Sequence, residues 1–106
     1  MLTGKQRAYL RSLANPLDTI LIVGKSGLGD EITKQADDAL TARELIKGSV
    51  LESSPVTSRE AADQLAAATR SDVVQVIGSR FVLYRRNPKQ PKIILPKAGK
   101  KSYDKK

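Results

Sequence analysis

Thr19-Ile20-Leu21-Ile22-Val23-Gly24-Lys25-Ser26-Gly27-Leu28-Gly29-Asp30-Glu31-Ile32 is the segment from which the architecture of the chain can be read. Its first five residues are apolar or β-branched and read as a strand, and the unbroken run predicts a strand covered on both faces. The residues from Asp30 to Thr41 carry a helical pattern, with Leu28, Ile32, Ala36, Ala39 and Leu40 as the buried stripe. A strand therefore feeds a helix through a tight turn that has glycine at both ends and lysine inside. Glycine lets the backbone approach a ligand closely because no Cβ intervenes. The helix start that follows offers unpaired N–H groups and the positive end of its dipole. These parts suit a phosphate group, with Lys25 supplying charge, Ser26 a donor, and Gly24 and Gly27 the room.

Toward the N-terminus, Thr3-Gly4-Lys5-Gln6 has the form of a capping box and opens a first helix that ends near Ala14, before Asn15-Pro16. Tyr9, Leu10 and Leu13 mark its apolar face. Arg43 to Glu52 reads as a second strand, in which Gly48 signals a bulge or a close approach. Thr57-Ser58-Arg59-Glu60 is a second capping box and starts a third helix, reaching Arg70 and packing Ala61, Ala62, Leu65, Ala66 and Thr69. Val73–Ile77 and Phe81–Arg85 form a hairpin around Gly78-Ser79. Ile93-Ile94-Leu95 is expected as a short edge strand, and the polar residues from Lys97 onward as disordered. The order α-β-α-β-α-β-β predicts an α/β sandwich with one mixed sheet of about four strands. The domain is expected over residues 1–96, with a basic tail over 97–106.

Composition narrows the chemistry. The chain has 106 residues, no cysteine and no histidine. Disulfides and thiolate zinc sites are thereby excluded, and the commonest general base and metal ligand is missing. No paired catalytic constellation stands out, and Asp37-Asp38 reads as solvated surface. No catalytic residue, metal or cofactor is expected. No apolar run reaches 18 residues, so no membrane span is expected, and the chain reads as a cytosolic monomer.

The net charge of +8 is unevenly placed. Residues 1–84 hold ten basic and ten acidic side chains, whereas residues 85–106 hold nine basic ones against Asp104 alone. Such a balance favours a polyanion. The expected nucleic-acid contacts are the Gly24–Gly27 turn, Lys5, Arg7 and Arg11 on the first helix, Lys47, and Tyr84 with Arg85 and Arg86. A nucleotide-hydrolysing P-loop does not fit, because it needs glycine where Thr19 stands. Phe81-Val82-Leu83-Tyr84 matches only the end of the RNA-recognition-motif signature, and the element order is wrong for that fold. With four aromatic residues in all, base stacking on aromatic rings is not the main binding mode.

A set of segments spread over residues 2–96 is more specific. Leu2-Thr3-Gly4-Lys5-Gln6-Arg7, Gly24-Lys25-Ser26-Gly27-Leu28, Arg43-Glu44-Leu45-Ile46-Lys47, Val74-Gln75-Val76-Ile77-Gly78 and Val82-Leu83-Tyr84-Arg85 together resemble the YhbY-like CRM family in its stand-alone bacterial form. The resemblance implies a fold similar to the C-terminal domain of translation initiation factor three. It also implies RNA as partner, association with the precursor of the large ribosomal subunit, and a role in ribosome assembly. The family's loop falls on Gly24, Lys25, Ser26 and Gly27, and Gly29 stands where many members have threonine. The rival expectation is a protein-interaction adaptor in ribosome assembly whose basic tail gives only non-specific attraction to RNA.

Overall fold

A computed structural model describes residues 2–96. The elements run α1 (Gly4–Ala14), β1 (Thr19–Val23), α2 (Asp30–Arg43), β2 (Leu45–Val50), α3 (Ser58–Thr69), β3 (Asp72–Ile77) and β4 (Arg80–Tyr84). Both capping boxes form. Thr3 Oγ1 accepts from the Gln6 N–H at 3.1 Å while Gln6 Oε1 accepts from the Thr3 N–H at 3.0 Å. Thr57 and Glu60 repeat the exchange at 3.1 and 2.9 Å. Each box satisfies two N–H groups that the first helical turn would leave orphaned.

The four strands lie in the order β1-β2-β4-β3. β1 and β2 are parallel, and β4 runs antiparallel to both of its neighbours. α2 and α3 cover one face. There Ala36, Leu40, Ala61, Ala62 and Leu65 pack on Leu21, Val23, Ile46, Val50, Phe81 and Leu83. α1 covers the other face, where Leu10 and Ala14 meet Leu45, Val74, Val82 and Tyr84. The alanines of α3 permit its close seat on the sheet.

Several expectations are corrected. β1 is an edge strand and is not covered on both faces: Leu21 and Val23 are buried, but Ile22 is 55% exposed. α1 is centred on the other three strands and leaves this corner open. Tyr9 is exposed as well, and Leu2 takes its place in the small core beneath α1. Arg43 ends α2 and does not begin β2, because Glu44 turns the chain with φ +67°. Ile93–Leu95 forms no strand; Ile93 and Leu95 dock against the α1 side while Ile94 stays exposed. The expected tail, 97–106, lies outside the described residues.

Gly48 shows a close approach. A Cβ there would lie 2.7 and 2.8 Å from the Phe81 ring carbons Cε2 and Cε1, and closer still to Cζ. The register irregularity falls on the facing strand, between Thr19 and Leu21.

Candidate nucleic-acid interface

One end of the sheet gathers the turn and two helix starts. β1 and β2 both point their C-termini there, the β3–β4 hairpin turns there, and α2 and α3 begin there. The Ser58 hydroxyl donates to Gly78 O at 2.7 Å, tying the start of α3 to the hairpin. Two positive helix-dipole ends therefore face the same way as Lys25.

The turn itself is closed by the Gly27 N–H donating to Gly24 O at 2.9 Å. Lys25 and Ser26 are exposed at its tip, and Gly27 is buried. Gly27 has φ +68°, and a Cβ there would meet Pro55 Cγ at 2.9 Å. A Cβ on Gly24 would meet Leu51 Cδ1 at 3.5 Å, an ordinary contact. Only the second glycine is thus required by the fold. Gly27→Ala is expected to cost about 1–2 kcal/mol in strain and displacement of Pro55, whereas Gly24→Ala stays within ~0.5 kcal/mol. Thermal melts of the two variants check the contrast. Gly29 caps α2 without a side-chain hydrogen bond, and Asp30 and Glu31 occupy the first turn.

The remaining expected contacts do not gather at the turn. Lys47 lies on the α1 side of β2, half-buried, with its Nζ donating to Asn15 O at 3.2 Å. Lys5 and Arg11 are exposed and Arg7 half-buried on α1. Arg7 and Arg11 line a cleft with Arg59, Gln75 and Ile77 along β3, across the sheet from the turn.

Tyr84, Arg85 and Arg86 stand at the opposite end of the strands. Tyr84 is buried under α1, with its hydroxyl unpaired, so it offers no ring to a base. Burial pushes its phenol pKa up, helped by Glu44 and Asp72 and opposed by Arg86. Arg85 is spent inside the fold: it donates to Asp37 Oδ1 at 2.5 Å, Thr69 O at 2.8 Å, Asp37 O at 3.0 Å and Thr41 Oγ1 at 2.7 Å. Asp37 is therefore an ion-pair partner and not merely solvated surface. Arg86 is exposed.

Two features escaped the sequence reading. Arg80 and Gln75 share the α1 face with Lys47 and Val82; strict alternation back from Val82 points to Arg80. Glu44 is fully buried, and its carboxylate accepts from the Asn87, Lys92 and Ile93 N–H groups at 2.6, 2.6 and 2.7 Å. Burial alone would push its carboxyl up. Those three donors, with the Arg86 charge, outweigh it and hold the pKa below the ordinary 4.5. Among the described residues no group of three or more Asp or Glu side chains is placed to hold a metal ion.

Comparison with known proteins gives a consistent result. A family model described as the CRS1 / YhbY (CRM) domain matches residues 2–85. The chain is 46% identical over 96 residues to "Probable RNA-binding protein YqeI" of Bacillus subtilis, covering 91% of this chain and all of that one. It is 32% identical over 96 residues to a protein of Haemophilus influenzae named "RNA-binding protein", covering 91% of this chain and 96% of that one. The solution structure of hypothetical protein SAV1595 from Staphylococcus aureus superposes with a TM-score of 0.76 at 50% identity, covering 91% of this chain and all of the other.

Proposed function

Because the chain belongs to the CRS1 / YhbY (CRM) domain family, we propose that it is a non-catalytic RNA-binding protein that grips the sugar-phosphate backbone through the Gly24–Gly27 turn. The observation that carries this reading is the exposed Lys25-Ser26 tip, set at the end of the sheet where α2 and α3 begin. Lys25 supplies the point charge, and the helix ends add a field of the same sign. Arg7, Arg11 and Lys47 widen the positive surface on the α1 face, and Lys5 extends it along the helix. Arg86 contributes only at the far end of the strands. The relatives' names support RNA as the ligand. The further assignment, to assembly of the large ribosomal subunit, rests on the segments shared with stand-alone bacterial members of the family.

Lys25→Glu tests the turn. Affinity for RNA is expected to fall about tenfold at moderate salt, ~1.4 kcal/mol. The slope of log K against log salt becomes shallower by about one, as for loss of one phosphate contact. Fluorescence anisotropy over a salt series reads both, and circular dichroism should stay unchanged because the side chain is exposed. Wild-type affinity in this variant, together with lost binding on removal of residues 97–106, would move the RNA contact to the tail. Co-sedimentation of the chain with large-subunit precursors, reduced by the same substitution, tests the ribosomal assignment.

A further inference from the structure

Across the uncovered end of the sheet, on the α1 face, one residue from each strand forms a continuous row. Ile22 pairs with Ser49, Ser49 with Arg80, and Arg80 with Ile77. At about 4.8 Å per strand spacing the row is ~14 Å long. Ile22 is 55% and Ile77 64% exposed, and Arg80 is exposed between them. The turn with Lys25 follows Ile22 at one end of the row. The cleft lined by Arg7, Arg11 and Arg59 includes Ile77 at the other. The row is thus an apolar and guanidinium track with cations at both ends. Lys47 and Gln75 lie one register step behind it, on either side of Val82.

We infer that this row seats unpaired bases, so that the RNA taken by the chain is single-stranded over the few nucleotides next to the turn. The inference rests on the RNA-binding reading and adds the form of RNA. A duplex hides its base faces and presents phosphates, and exposed isoleucines gain nothing from such a surface. Unpaired bases bring apolar faces that cover aliphatic side chains and stack on a guanidinium plane. Cations at both ends match a backbone that enters at the turn and leaves past α1, which favours a nucleic acid over an apolar protein segment. With no aromatic ring in the row, the gain per base is modest and comes from area buried on Ile22, Ile77 and Arg80.

The test uses the full chain and three probes of equal length at one salt concentration: an unstructured single strand, the same strand with its central nucleotides abasic, and a blunt duplex. Anisotropy is expected to show the single strand bound at least fivefold more tightly than either other probe. The double variant Ile22→Ser/Ile77→Ser is expected to lower single-strand affinity most of the way to the abasic level, with the Arg80 share remaining, and to leave abasic affinity and the salt slope unchanged. Equal affinity of the unaltered chain for all three probes overturns the base seat while leaving RNA binding standing, and needs no variant to fold. Wild-type affinity of a folded double variant for the single strand also overturns it. Failure to bind any probe overturns the RNA-binding reading itself.

Discussion

Glu44→Ala is expected to destabilise the protein by about 3 kcal/mol or more, because three part-buried N–H groups lose one charged acceptor and each such bond is worth roughly 1.5–3 kcal/mol. The melting temperature should fall by roughly 15 °C or more. The carboxylate is the shared acceptor for the Asn87, Lys92 and Ile93 N–H groups. Alanine leaves those donors without it and frees the segment that seats Ile93 and Leu95 against the α1 side. Alanine also keeps the positive φ of +67° at this position. Glu44→Gly loses the same acceptor but relieves the backbone, so it should be the milder variant by about 1 kcal/mol. Thermal or denaturant melts of the pair separate the two contributions. The pH dependence has a definite sign. The folded-state pKa lies below the ordinary 4.5. The carboxylate's contribution is therefore complete above that value and is lost as pH falls through the depressed one. Wild-type stability should decline on acidification below about pH 4.5, and the Glu44→Ala chain should show a flatter profile over that window.

Gly48→Ala is expected to cost about 3 kcal/mol, the upper part of the usual range for forcing an added methyl into a packed core. The new Cβ would fall within 2.8 Å of Phe81 Cε1 and 2.7 Å of Cε2, and Phe81 is fully buried among β-sheet and helix side chains. The ring cannot move without displacing its neighbours, because interiors are close-packed. Phe81→Leu should be destabilising alone through the cavity it leaves. Combined with Gly48→Ala it should be less harmful than the sum of the two, because the smaller side chain vacates the space the methyl needs. A double-mutant cycle of denaturant melts reads the coupling, expected at 1 kcal/mol or more. Strict additivity would mean that the ring and the glycine do not oppose one another.

What the sequence reveals follows the range of the interaction. Thr3 with Gln6, and Thr57 with Glu60, are signals carried within four residues, and both boxes form as expected. The turn from Gly24 to Gly27 is equally local. Ile22 is different. An apolar run reads as buried on both sides, but whether a helix lies over it depends on strand order and on where α1 crosses the sheet. Both are set by contacts far apart in the chain. Arg85 looks like the first cation of a basic segment, yet Asp37, 48 residues away, claims it. Tyr84 looks like the end of a surface strand and is buried by α1. Glu44 carries no local mark: read as the second residue of a strand, it gives no sign of the burial it gains when residues 87–93 fold onto it. The basic end of the chain accordingly misled where it entered the fold, at Tyr84 and Arg85. Lys5, Arg7, Arg11 and Lys47 are legible as cations in the sequence, but that Arg80 lies on their face, between Ser49 and Ile77, is set by strand register.

Gln6 joins two distant parts of the chain. Its side-chain oxygen holds the Thr3 N–H, and its side-chain nitrogen donates to Pro96 O at 3.0 Å. Fraying of the first helical turn therefore removes an anchor of the segment around Pro96, and release of that segment frees the amide that caps the helix. Opening of either end of the described chain is therefore expected to loosen the other, and the three N–H groups held by Glu44 resist that release.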